Sequence, residues 1–225
     1  MNRYLAAFKA AFSYATLNGK AERNPVKDVK MEKENNARVR YLTQDEEARL
    51  MAVLPERYEP LVILAIHTGL RKTEQLSLEW RDIDFQQGQG KVRESKSGKG
   101  RVIPLSQTAL ELFRSLSKVR MINNPFVFPG EFPGTRRTDL PKYWEDYLGE
   151  AGINDFHWHD LRHTFASRLV MAGVDLYTVS KLLGHADIKM TMRYAHLSPG
   201  HLKAAVGVLD NQLTPELAPV MSSAL

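Results

Sequence analysis

Apolar positions recur at helical spacing at both ends of the chain and at shorter spacing in the middle. Tyr4, Leu5, Phe8, Ala11, Phe12 and Ala15 line one face of a helix over 2–18, which "GKAERNP" ends with Gly19 and Pro25. Residues 27–40, "KDVKMEKENNARVR", are charged and aperiodic and read as a linker. "LTQDEEARLMAVLP" opens a second region: Thr43 with Glu46 makes a capping box, Asp45, Glu46 and Glu47 suit the positive end of a helix, and Pro55 stops it. "YEPLVILAIHTGLRKTEQLSL" reads as a buried helix, a break at Gly69 and a second helix beginning near Arg71. The period then shortens, and short strands at 83–85, 91–94 and 101–105 with Gly-rich turns between them predict a small antiparallel sheet. A helix follows at about 107–119, then the loop "NNPFVFPGEFPGT", then helices at about 139–151, 159–172, 176–183, 187–197 and 200–213. The tail from Thr214 reads as flexible. The fold class is therefore α+β, mainly α with a small antiparallel β-sheet.

The chain has 225 residues, 43% of them apolar, enough for one sizeable core and a small appendage. The expected division is 1–30 as an appended helix, 31–40 as a linker, 41–199 as the main domain and 200–225 as a C-terminal helix and tail. An amphipathic helix cannot bury its apolar face alone, so 1–30 reads as the last piece of a missing N-terminal domain. Absence of cysteine excludes disulfides and thiolate metal sites. The longest apolar run, "LVILAI", is far too short to span a bilayer, and no signal-like segment opens the chain, so a soluble intracellular protein is expected. A net charge of +5 hints at a polyanionic partner.

The candidate chemistry concentrates in "WHDLRHTFASRL". On a helical wheel Leu161, Phe165 and Leu169 form an apolar stripe, while His159, Arg162 and His163 share an adjacent face with small Ala166 beneath them. Three cation-capable side chains on one turn suit an anionic ligand, with Ala166 as its floor. The plain alternative is a surface helix with a solvated arginine. His157, His159 and His163 offer a zinc reading, but their spacing completes no familiar motif and Arg162 opposes a dication. Arg71 follows the Gly69 break at a helix start, where backbone N–H groups and the dipole favour an anion, and Glu74 stands one turn on. "DLYTVSKLLGH" is a short helix with Asp175 as N-cap and Gly184 beyond its end, followed by His185 and then by a helix carrying Tyr194.

"TGLRKTEQLSLEW", "HDLRHTFAS", "LLGH" and "MRYAH", in that order and spacing, resemble the tyrosine recombinase (phage integrase) family. The likeness covers about 41–198, and 1–30 is similar to the final helix of that family's N-terminal core-binding domain. One arginine box would be weak; four boxes in order with a lysine-bearing hairpin between them are specific. The resemblance implies the catalytic-domain architecture of that family and double-stranded DNA as partner. It also implies a tetramer on two DNA sites for the full-length protein, with a monomer open to a fragment, and a prokaryotic or phage-encoded protein of the cytoplasm and nucleoid. It assigns Arg71, Lys96, His159, Arg162, His185 and the nucleophile Tyr194 to catalysis, with Glu74 in support. Lys99 shares the turn with Lys96 and is the alternative for its role, and His163 receives none.

In that reading the missing anion is a DNA phosphate. Arg71 and Arg162 offer forked donors to its non-bridging oxygens, and His159 and His185 add hydrogen bonds or proton transfer. A free phenol, with a pKa near 10, is about one part in a thousand ionised at pH 7, so Tyr194 needs a base and a positive field, which His159 and the arginines can supply. Attack gives a phosphotyrosyl ester and frees a 5′-hydroxyl, as the resemblance implies. The ester conserves the broken bond's energy, so no cofactor is expected, and no G-x-x-x-x-G-K-[ST] loop occurs. No metal is expected either. From Lys91 to Arg101 there are five basic residues and one acidic, and Lys91, Arg93, Lys99 and Arg101 are the expected phosphate contacts. The alternatives are a type IB topoisomerase-like enzyme, a DNA-binding regulator without catalysis and a metal-dependent phosphodiesterase.

Overall fold

In the computed structural model, residues 2–32, 39–93, 100–198 and 206 are described. The chain divides into two units, Met1–Arg38 and Val39–Leu225. In the first, α1 (Asn2–Leu17) is followed by a strap of chain tied back to it. Asn24 Nδ2 donates to the Lys9 carbonyl and to Ser13 Oγ, both at 3.0 Å, and Asn2 exchanges two 2.8 Å hydrogen bonds with the Glu32 backbone. The predicted apolar stripe is present, but no residue of α1 is buried, and Tyr4 and Phe8 are exposed. One helix and a strap supply no second layer for that stripe.

The second unit opens with α2 (Gln44–Val53), held by the expected capping box: Thr43 Oγ1 accepts from Glu46 N at 3.1 Å, and Glu46 Oε2 accepts from Thr43 N at 3.0 Å. Its centre is α3 (Glu59–Thr68), apolar on nearly every side and buried accordingly, with Leu61, Val62, Leu64, Ala65 and Ile66 in the core. Gly69, at φ +60°, turns the chain out of α3 into the five-residue α4 (Lys72–Leu76). A 3₁₀ turn (Trp80–Asp82) leads to the antiparallel sheet of β1 (Ile83–Asp84), β2 (Gln89–Val92) and β3 (Arg101–Pro104), in that order. The register pairs Ile83 with Gly90, and Gly90 with Ile103. β2 therefore starts earlier than the apolar pattern suggests, because Gly90 lies under Ile103 and Leu105, where a Cβ would already touch.

Next come α5 (Gln107–Lys118), α6 (Trp144–Glu150), α7 (Asp160–Met171) and α8 (Leu176–Leu183). The predicted helix at 139–151 is shorter, since Trp144 N turns back onto the Pro141 carbonyl and helix begins only there. The predicted helix at 187–197 is instead two 3₁₀ segments, Ile188–Met190 and Met192–Leu197. The Asp187 carboxylate caps the first by accepting from Lys189 N at 2.8 Å, and the buried Thr191 side chain, bonded to His185, breaks the run. The predicted helix at 200–213 and the tail lie outside the described residues, apart from Val206.

Two clusters form the core of this unit. The larger joins α3 to Leu50, Phe113, Phe156, Trp158 and Leu161, and each buried side chain of this size contributes roughly 1.5–3 kcal/mol. The smaller holds Ala166, Val170, Val179, Leu183 and Tyr194, with Phe165 and Leu169 packed against it. α7 belongs to both, so the helix of "HDLRHTFAS" is fixed along its length. Thr164 strengthens this by accepting from Leu42 N at 3.0 Å and donating to the Asp160 carbonyl at 2.8 Å.

Candidate active site

Separated segments line one cleft of about 860 Å³, with the predicted residues Arg71, Glu74, Lys91, Arg93 and His159 in its lining beside Gly184, while Arg101, Arg162, His185 and Tyr194 are not part of that lining. Glu74 is its electrostatic hub. Its carboxylate accepts from Arg71 Nη1 at 2.7 Å and from Arg101 Nη1 and Nη2 at 3.0 and 2.9 Å, and Arg162 Nη1 stands 4.0 Å away. Burial alone would raise the Glu74 pKa, but hydrogen bonds from Arg101 and from the Arg71 backbone and side chain, with the Arg101 charge, hold it down to about 2. Three guanidinium groups thus gather on one carboxylate, leaving a positive surplus. Arg162, 3% exposed, donates to the carbonyls of Gly69 (2.6 Å) and Leu183 (2.7 Å), and burial together with Arg71 pushes its pKa down to about 9. It remains charged at pH 7.

The start of α4 is not the open anion site that its sequence suggests. The Glu74 carboxylate accepts the Arg71 N–H at 3.0 Å, so the helix end is capped from within. Arg71 contributes to the cleft through its side chain instead.

His159 stands at the N-cap of α7, one position earlier than the interior expected for it, with its ring free of capping duty and facing the cleft. Ala166, the expected ligand floor, is filled from within: it packs in the same cluster as Tyr194. Tyr194 is 2% exposed, and its hydroxyl lies 2.5 Å from His163 Nδ1. Burial pushes the phenol up to about 12, against the pull of Arg162. His185 Nδ1 lies 2.8 Å from Thr191 Oγ1. All three site imidazoles are pushed below their ordinary range by burial first, with Arg162 next for His159 and His185 and His159 next for His163. His163 and His185 reach about 4. The crowding of cationic groups on "WHDLRH" is thereby relieved, since the histidines are neutral at pH 7 and Arg162 carries the charge.

Of the expected phosphate contacts, Lys91 is exposed on the cleft wall. Arg93 is already engaged, donating to Asp82 at 2.8 Å and to Glu79 at 2.6 Å, where it neutralises the buried Asp82. Arg101 is pinned to Glu74 and lies within the site rather than on the outer hairpin. Lys96 and Lys99 fall in 94–99, outside the described residues. The partner that sequence reasoning missed is His163; its signal was its place in the polar cluster one residue after Arg162. Among the described residues no group of three or more His, Asp or Glu side chains is placed to hold a metal ion, and no helix is long and apolar enough to cross a membrane.

Comparison with known proteins matches residues 40–201 to the phage integrase family. The integrase of Salmonella phage P22 is 34% identical over 81% of this chain and 50% of its own length. The tyrosine recombinase XerA of Pyrococcus furiosus is 33% identical over 96% of this chain and 77% of its own length. Among solved structures, the catalytic domain of bacteriophage HP1 integrase superposes with a TM-score of 0.58 at 28% identity, covering 76% of this chain and 95% of that one. The XerA recombinase crystal structure gives a TM-score of 0.62 at 25% identity, covering 88% and 72%. The chain belongs to the phage integrase family, the site-specific tyrosine recombinases, which are DNA strand transferases. It spans about half of the P22 integrase and about three quarters of XerA.

Proposed function

We propose that this chain cleaves and rejoins duplex DNA through a phosphotyrosyl link at Tyr194. The observation that carries the reading is that Arg71 and His159 line one cleft, with buried Arg162 4.0 Å from the Glu74 carboxylate that pairs with Arg71, and with Tyr194 bonded to His163, whose ring lies against that of His159. Arg71 and Arg162 hold the scissile phosphate by its non-bridging oxygens, and His159 and His185 donate to the charge that builds on them. Arg162 keeps its two carbonyl bonds and has further N–H donors for the phosphate, and His185, engaged by Thr191 through Nδ1, has Nε2 to offer. Glu74 orients the arginines without touching DNA. Lys96 protonates the departing 5′-oxygen, and the chemistry runs without metal or nucleotide.

Integration or excision of a mobile element is the role this chemistry serves, with four protomers assembled on two DNA sites. In the same reading 1–30 is the closing helix of a DNA-clamping domain, 31–40 its linker, 41–199 the catalytic domain and 200–225 a C-terminal helix and tail.

The test starts from a pool of nicked, randomised duplexes, on which a cleaved end diffuses away and traps the covalent state. The full chain should form an adduct that survives denaturant, and sequencing of the trapped DNA should converge on a pair of inverted arms. Trapped DNA without any common sequence would favour a topoisomerase-like activity. Adducts abolished by EDTA would favour a metal-dependent phosphodiesterase.

A further inference from the structure

We infer that His163 is a further catalytic residue: its Nδ1 takes the phenolic proton of Tyr194 as the tyrosine oxygen bonds to phosphorus, and returns it when the strand is rejoined. The inference rests on the strand-transfer reading of Tyr194 given above.

The geometry selects His163 from the three imidazoles of the site. Its Nδ1 is 2.5 Å from the Tyr194 hydroxyl, with ring centroids 5.7 Å apart. His185 turns its Nδ1 to Thr191, 2.8 Å away, and not to the phenol. His159 stands edge-on to the His163 ring, with centroids 5.2 Å apart and planes at 88°, so it lies beside His163 and not on the phenol. At 2% exposure Tyr194 is shielded from bulk water, and the group already bonded to its hydroxyl is the proton's first destination. His163 directly follows Arg162 on α7, so the proton acceptor and a phosphate donor are carried by one helical turn.

The protonation states agree with this assignment. His163 faces Arg162, His159 and Asp160 at the start of its own helix, and Arg193 and Tyr194 from the last 3₁₀ segment. Burial, then His159, keeps its pKa near 4, so a lone pair is available at pH 7. A phenol raised to about 12 would be ionised only to about one part in 100,000 at that pH, so unassisted ionisation is a poor source of nucleophile. In the forward step the Tyr194 oxygen–phosphorus bond forms and the phosphorus–5′-oxygen bond breaks. The phenolic proton moves to Nδ1, giving an imidazolium, and the 5′-oxygen takes a proton from the hairpin lysine. In the reverse step the 5′-hydroxyl attacks, its proton returns to that lysine, and the departing phenolate recovers its proton from His163. Charge and protons balance over the cycle.

The experiment measures single-turnover cleavage of the duplex recovered from the trapped pool by the full chain and by His163→Asn and His163→Gln. Both variants should bind that duplex within about twofold of the parent and cleave it at least about 100-fold more slowly. Trifluorotyrosine at position 194, whose phenol ionises readily, should restore most of the loss, which a merely structural role would not allow. In the unsubstituted chain the rate should be flat from about pH 6 to 9; in His163→Asn it should climb about tenfold per unit. Variants that cleave at the parental rate, variants that cleave faster, or a loss that fluorination leaves untouched would each overturn the inference. Should neither variant fold, a tenfold climb per pH unit in the unsubstituted chain overturns it equally. An adduct on a residue other than Tyr194 removes the underlying reading as well, whereas an adduct on Tyr194 with unimpaired His163 variants removes this inference alone.

Discussion

Arg101 and Glu74 meet as a two-point fork, with both η nitrogens of the arginine on the carboxylate at 3.0 and 2.9 Å. Glu74 also pairs with Arg71, so β3 is joined through one carboxylate to an arginine of the cleft. The Arg101 stem passes over Gly184, where a Cβ would come within 2.8 Å of Arg101 Cδ. Hairpin, α4 and the turn before His185 are therefore held together by one guanidinium.

Replacing that guanidinium with an ammonium keeps the charge and loses the fork. Arg101→Lys should leave duplex affinity within about twofold, while each lost charge-assisted hydrogen bond costs about 1.5–3 kcal/mol of site order. Single-turnover cleavage should fall about 10- to 100-fold. Parallel binding and cleavage assays decide the matter, and a loss confined to affinity would make Arg101 a phosphate contact instead.

Stability should respond to pH through the neutral histidines. His163 and His185 ionise near 4 in the folded chain and near the ordinary 6.5 when unfolded. Between those values the unfolded state binds more protons, so their contribution is full above 6.5 and is lost as pH falls towards 4. Glu74, lowered from 4.5 to about 2, adds a second loss at lower pH. The urea midpoint should be lower at pH 5 than at pH 7.5; an unchanged midpoint would refute buried neutral imidazoles.

Gly69 carries two constraints. Its φ is +60°, and a Cβ there would stand 2.4 Å from Phe165 Cδ1. Its carbonyl also accepts from Arg162 at 2.6 Å. Gly69→Ala should destabilise by at least about 1–3 kcal/mol and reduce cleavage through displacement of Arg162. Gly19→Ala, with φ +66° but nothing within 4 Å, is the control and should bear the backbone strain only. Thermal unfolding of the two variants compares them; equal losses would remove the steric part of the account.

Much of this architecture was legible in the sequence because it rests on local rules. The capping box of Thr43 and Glu46, the Asp175 cap, the Gly69 and Gly184 turns and the hairpin all depend on residues close in sequence. The arginine and histidine boxes pointed to Arg71, Glu74, His159 and Arg162, which the fold brings close together. The partners were not legible. That Arg101 would turn inward to Glu74 depends on a buried carboxylate from another segment demanding charge. That Ala166 would receive Tyr194, and His163 its hydroxyl, depends on how the last 3₁₀ segment folds back onto α7. Helical periodicity also overstated 187–197, where the side chains of Asp187 and Thr191 compete with the backbone.

The hairpin lysines separate through the leaving group. A duplex with sulfur for the bridging 5′-oxygen needs no proton on departure. Lys96→Ala should cleave ordinary DNA about 100- to 10,000-fold more slowly and the sulfur duplex nearly as fast as the parent. Arg71→Ala should be slow on both, because in the proposed reaction it holds the phosphate. Sulfur rescue of Lys99→Ala in place of Lys96→Ala would move the role along the turn.

Mass spectrometry of the trapped adduct after proteolysis reads out whether Tyr194 forms the covalent bond to DNA. A nucleotide should be found on the peptide containing Tyr194. Tyr194→Phe, which removes one oxygen from a packed ring, should keep its fold and its DNA affinity and form no adduct. An adduct at the parental yield in Tyr194→Phe, or a nucleotide on any other residue, would contradict the account.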